Sequence, residues 1–89
     1  MQSINKPAPT RREREHIARV KEMACAVCDT PGPSECHEIK QAQWFTSVPL
    51  CFACHRGPIL GIHGQQRAWK VRKIDELGAL AITVERLVA

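Results

Sequence analysis

Four of the chain's five cysteines form two C-x-x-C pairs, Cys25/Cys28 and Cys51/Cys54, separated by 22 residues. A chain of 89 residues makes one domain with a modest core. Domains of this size commonly rely on a metal, disulfides or a partner for stability. The odd cysteine count argues against a closed disulfide framework, and no βαβ pattern accompanies the pairs as a redox dithiol would require. Each C-x-x-C knuckle lets two thiolates reach one ion from a tight turn. The spacing therefore predicts one structural zinc held by Cys25, Cys28, Cys51 and Cys54, of zinc-ribbon or treble-clef type. Cys36 is left over, as a small buried hydrophobe or a spare ligand.

Met1–Pro9 carries two prolines and little that is apolar, and reads as a flexible tail before a single domain over residues 10–89. It has no secretory core, and no apolar run is long enough to span a bilayer. A reducing cytoplasm is the expected compartment, where paired cysteines serve as metal ligands. The net charge of +4 suits a polyanion, as does the clustering of Arg11, Arg12, Arg14, Arg19 and Lys21, and of Arg67, Lys70, Arg72 and Lys73. Glu13, Glu15 and Glu22 dilute the first cluster, so a solvated helix face explains it equally well.

Thr10-Arg-Arg-Glu13 is a capping box, and Ile17, Val20 and Ala24 follow at helical spacing, which predicts a helix over Thr10–Met23. Cys25–Cys28 is a knuckle and Asp29–Pro33 a turn. Glu35–Phe45 is open between a short strand, a helical turn and a loop. Thr46–Cys51 reads as a strand, Arg56–Gly64 as a glycine-rich loop and Gln65–Lys73 as a helix. Ile74, Leu77, Ala81, Val84 and Leu87 or Val88 mark the apolar face of a last amphipathic helix.

Four thiolates saturate a structural zinc, so the four histidines need another account. His16 sits among charges on the first helix and reads as an ordinary surface or packing residue. His37 follows Cys36, His55 follows Cys54, and His63 lies in Gly61-Ile-His-Gly64. These three could hold a second metal with open positions, or be loop histidines. His37-Glu38 does not continue to H-e-x-x-H, because Gln41 stands at the fifth position, which excludes that metalloprotease pattern.

Val48-Pro-Leu-Cys51-Phe-Ala-Cys54-His55 resembles the end of the HNH motif of zinc-containing nucleases. Ser34-Glu-Cys-His37-Glu38-Ile39 is similar to the stretch where that family carries its first histidines. The loop from His55 to His63 resembles that of phage and prophage RecA-dependent recombination-enhancement nucleases. The resemblance implies a small α+β fold, a zinc-stapled ββα-metal, treble-clef-like core flanked by N- and C-terminal helices. It implies a metal-dependent DNA endonuclease acting in a bacterial host cytoplasm, with DNA and a RecA filament as partners. A divalent ion (magnesium, manganese, nickel or zinc) would lie on His37, His55 and His63. The general base would be Glu38, or His37 in the other register, which leaves Cys36 or Glu38 to bind the metal. With DNA as the partner, Arg56, Arg67 and Lys70 could contact the phosphate backbone, or Arg56 be an ordinary surface arginine. The motif asparagine that ties the loop together is replaced by Thr46, with Ser47 beside it. Trp44 and Trp69 are core residues or stack on an unpaired base. The competing expectation is a non-catalytic zinc module that binds DNA or a recombination protein; a purely structural zinc domain is the third.

Overall fold

The computed structural model describes residues 8–57, 61, 62, 69 and 74–89. Helix α1, Arg11–Glu22, starts where the capping box places it: Thr10 Oγ1 accepts from the Glu13 amide at 3.2 Å, and the Thr10 amide donates to Glu13 Oε1 at 2.7 Å. These bonds satisfy two of the donors that a helix start leaves open. At the other end Met23 takes extended backbone and closes the helix with its amide on Val20 O.

The chain then loops back along the end of α1. The Ser34 amide donates to Lys21 O at 2.7 Å, and its hydroxyl donates to Met23 O at 2.6 Å. Gly32 is required by this close approach, since a Cβ there would lie 2.7 Å from Glu22 O and 2.9 Å from Met23 O. Asp29 adopts a left-handed φ of 63° within the first knuckle, a conformation that aspartate tolerates better than most residues.

Strands β1 (Glu35–Glu38) and β2 (Ser47–Leu50) form an antiparallel hairpin in the register Glu35↔Leu50, Cys36↔Pro49, His37↔Val48 and Glu38↔Ser47. The open segment of the sequence thus resolves into a strand, a turn and a 3-10 turn at Trp44–Thr46. Pro49 lacks an amide hydrogen, and its carbonyl accepts from the Ala26 amide at 2.9 Å, joining β2 to the first knuckle. The loop between the strands is tied by Thr46 Oγ1 donating to Gln43 O at 3.0 Å and by Ser47 Oγ donating to Trp44 O at 2.7 Å. Thr46 and Ser47 therefore both spend their hydroxyls on backbone carbonyls of this loop. A short helix α2, Phe52–His55, follows β2 at once.

Helix α3, Glu76–Val88, is capped by Asp75, whose side chain accepts from the Gly78 amide at 2.7 Å. Its inward face differs from the sequence expectation. Ala79 and Thr83 are buried, while Leu77 is 71 % exposed, Val84 46 % and Val88 77 %. Small residues allow close approach to the hairpin, and the Thr83 hydroxyl is satisfied by Ala79 O at 2.8 Å. Polar anchors also fix the rotation: Arg86 reaches Asp29 at 2.7 Å and Glu76 reaches His37 at 2.6 Å. Of the expected stripe Ile74 packs against the core, but Leu77 and Val84 do not, because the buried positions within the helix carry only a methyl group or a hydroxyl, Ala79 and Thr83.

The core gathers Cys25, Ala26, Val48, Leu50, Cys54, Ile62, Trp69 and Ala79, with Ile39, Ile74, Leu80 and Ile82 packed against it. Trp69 is therefore a core residue rather than a stacking surface, and the exposed aromatic rings are Phe45 and Phe52. Among the described residues no helix is long and apolar enough to cross a membrane. The expected helix over Gln65–Lys73 lies outside the described residues, save Trp69, which is helical.

Candidate metal centre and adjoining histidine pair

The two knuckles meet because β2 delivers Cys51 beside the first turn after α1. The thiol sulfurs of Cys25, Cys28, Cys51 and Cys54 all lie within 4.8 Å of one another. A tetrahedral zinc with bonds of about 2.3 Å places its sulfurs about 3.8 Å apart. Cys28 Sγ and Cys51 Sγ are separated by 3.7 Å, and the all-sulfur donor set is that of a structural zinc site. These four cysteines could hold a structural metal such as zinc. Each knuckle is closed by backbone: the Asp29 amide donates to Cys25 O at 3.0 Å, and the His55 amide to Cys51 O at 3.0 Å.

The thiols do not behave alike. Burial pushes Cys54 up, reinforced by the neighbouring Cys25, and burial likewise pushes Cys51 up. For Cys28 burial also opposes ionisation, but the Thr30 hydroxyl and backbone outweigh it and bring the thiol down to about 6. The Cys28 thiolate forms readily while Cys51 and Cys54 resist, as expected of like groups sharing a small space. A divalent cation removes that conflict by stabilising all four as thiolates. Cys36 stands outside the group on β1, and burial raises its thiol.

His55 is the residue after Cys54, and both are buried at the end of α2. Its Nδ1–H donates to Glu35 Oε1 at 2.7 Å, and Arg56 Nε donates to the same oxygen at 3.1 Å. The carboxyl of Glu35 is held below its usual range, first by the bond from His55 and further by the Arg56 charge, with burial opposing. Two residues along β1, and on the same face, His37 is buried and its Nε2–H donates to Glu76 Oε2 at 2.6 Å. The imidazole rings of His37 and His55 meet edge to face, their centroids 5.0 Å apart and their planes at 72°. Each ring is thus oriented by its own carboxylate, the arrangement that fixes which ring nitrogen carries the proton.

Strand alternation turns Glu38 to the other face of β1, where Oε1 accepts from the Ala42 amide at 3.1 Å. Of the two residues open as general base, His37 is the one beside His55. Arg56 is largely exposed and pairs with Glu35. His63, Arg67 and Lys70 lie outside the described residues. Among the described residues, only the four cysteines gather three or more ligating groups closely enough to share an ion.

Glu35 and Glu76 went unnoticed in the sequence. Glu35 was within reach, because i, i+2 alternation from His37 reveals it once residues 35–38 are read as a strand. Glu76 is 39 positions from His37, and no local pattern joins the two.

Comparison with family models, curated proteins and solved structures finds no match for the chain.

Proposed function

We propose that the chain is a metal-dependent DNA endonuclease of the HNH type. The observation that carries the reading is the buried His37–His55 pair, 5.0 Å apart, which a β-hairpin and a short helix present directly behind the cysteine cluster. Strand, strand and helix follow in the order that the HNH resemblance implies.

Hydrolysis of a phosphodiester needs an activated water, neutralised phosphate charge and a stabilised leaving oxygen. His37, held through Nε2–H by Glu76, takes the water proton on Nδ1. His55, oriented by Glu35 through Nδ1–H, would hold a divalent ion, with His63 as the further ligand from the resemblance. When bound, such an ion would supply Lewis-acid polarisation of the scissile phosphate and charge stabilisation for the leaving oxygen. Arg56 steadies Glu35 and offers its remaining guanidinium donors to a phosphate oxygen. The four cysteines hold structural zinc and keep His55 in place. A phage or prophage origin, action in a bacterial cytoplasm and partnership with a RecA filament belong to the same proposal and rest on the resemblance.

One observation favours a second reading, a zinc module that binds DNA or a recombination protein without cutting it. Both imidazoles already engage carboxylates, and buried networks of this kind also occur as purely structural elements.

Nicking of supercoiled plasmid with magnesium, manganese or nickel distinguishes them. The wild type is expected to nick with at least one of these ions, and His55→Ala to lose at least about 100-fold in rate. An absence of nicking under every metal, by a zinc-loaded protein that still binds DNA, leaves the second reading standing.

A further inference from the structure

On the outer side of α1, Arg12, Glu15, His16 and Arg19 line a cleft of about 320 Å³ closed at one side by Phe45. Arg12, His16 and Arg19 recur at i, i+4 and i+7, hence on one stripe of the helix. Glu15 is drawn away by Arg11, at 3.4 Å. Among the described residues neither Arg12 nor Arg19 forms an ion pair; Arg19 gives one guanidinium N–H to Leu87 O at 3.3 Å, and its charge and remaining donors are left for a phosphate. Phe45 stands on the 3-10 turn with 54 % of its surface exposed, its ring 5.1 Å from that of His16 and tilted by 53°. Nε2 of His16 is buried without a hydrogen-bond partner, and burial followed by the Arg19 charge lowers the imidazole's pKa. The ring is therefore mostly neutral near pH 7 and serves as an apolar backing for Phe45.

We propose that this cleft binds a single strand of DNA, with phosphates on Arg12 and Arg19 and an unpaired base stacked on Phe45. It takes from the nuclease reading only that the polyanion is DNA, and it concerns a surface that the His37–His55 pair does not use. Two cationic forks at the edges of a cleft with one exposed aromatic face are the elements of single-strand recognition: charge follows the backbone and the ring accepts any base. A duplex buries its base faces in its own stack, so Phe45 has nothing to hold there. An acidic peptide would use the arginines but gain nothing from the ring.

Fluorescence anisotropy with labelled oligo(dT) and with a duplex of equal length tests this, using the zinc-loaded full chain without added magnesium or manganese. Arg12→Gln/Arg19→Gln is expected to weaken oligo(dT) binding about tenfold or more and to reduce the slope of log affinity against log salt by about 1.4, or 0.7 for each lost phosphate contact. Phe45→Leu, which keeps an apolar neighbour for His16, is expected to weaken oligo(dT) about fivefold or more and leave duplex binding unchanged. Thermal melts within error of the wild type establish that the variants are folded. The proposal is overturned if wild type does not bind oligo(dT), if folded variants bind it as well as wild type, or if Phe45→Leu loses duplex binding equally. Competition by polyglutamate as effective as by oligo(dT) overturns it too, in favour of a protein partner. Plasmid nicking is read separately: strand binding without nicking removes the nuclease reading alone, and nicking with unchanged binding in the variants removes this one alone.

Discussion

Nε2 of His37, on the first strand of the hairpin, lies 2.6 Å from Oε2 of Glu76 in the first turn of the last helix. A bond between residues so distant in sequence locks the C-terminal helix to the centre of the candidate site. Glu76 is 38 % exposed, so solvent weakens the pair relative to a buried one. Glu76→Ala is expected to cost about 1 kcal/mol, a fall in melting temperature of roughly 4–8 °C for a domain of this size. Glu76→Gln, which retains an acceptor, should lie between it and the wild type. Circular dichroism melts of the three proteins measure this, and equal melting temperatures would show that the bond carries no weight.

Glu35 predicts a specific acid response. Its carboxyl is lowered in the folded chain by His55 first and then by Arg56. The unfolded chain therefore takes up this proton at a higher pH, near about 4.3, than the folded chain does. The resulting stability is fully present above that value and fades as pH falls from it through the lowered folded value. Urea midpoints of wild type and Glu35→Gln at steps from pH 6 to pH 3 should differ most at the upper end and converge toward the lower. Cysteine protonation affects both proteins alike, so the difference between them isolates Glu35.

The choice between the two base registers becomes a kinetic contrast. His37→Ala should lower the nicking rate by about 100- to 10,000-fold, the usual contribution of a general base. Glu38→Gln should leave the rate within a small factor, because its carboxylate serves the Ala42 amide on the opposite face of the strand. A large loss in Glu38→Gln with little effect of His37→Ala would reverse the assignment.

Metal removal should act on the fold before it acts on any chemistry. A structural zinc contributes about 10–16 kcal/mol in small zinc domains, as much as the entire stability of an ordinary domain. Purified protein is expected to carry zinc at the cysteines, and chelation or Cys54→Ser to abolish the helical circular dichroism signal. Cys36→Ser should retain the zinc, since Cys36 stands outside the cluster. Retention of full helicity after complete zinc removal would show that the apolar core suffices.

The features legible in the sequence were those written in local spacing. The capping box set the start of α1, and two C-x-x-C knuckles gathered at one point as their separation implied. What the sequence concealed depends on partners far along the chain. The face that α3 turns inward follows from Glu76 meeting His37 and Arg86 meeting Asp29, contacts across 39 and 57 positions, and not from its own apolar rhythm. The strand at Glu35–Glu38 was obscured for a related reason. Three of its four residues are charged or imidazole-bearing, and they sit in a strand because each finds a specific polar partner there.

The peptide bond between Cys54 and His55 makes the cluster a built-in spectroscopic probe. Cobalt(II) placed on the four sulfurs would carry unpaired electrons within one residue of the histidine pair. Nuclear relaxation near such a spin falls steeply with distance, so the ring protons of His55 would broaden far more than those of His16. A substrate or second ion arriving at His55 could then be followed through its magnetic resonance signals without any label being attached to the chain.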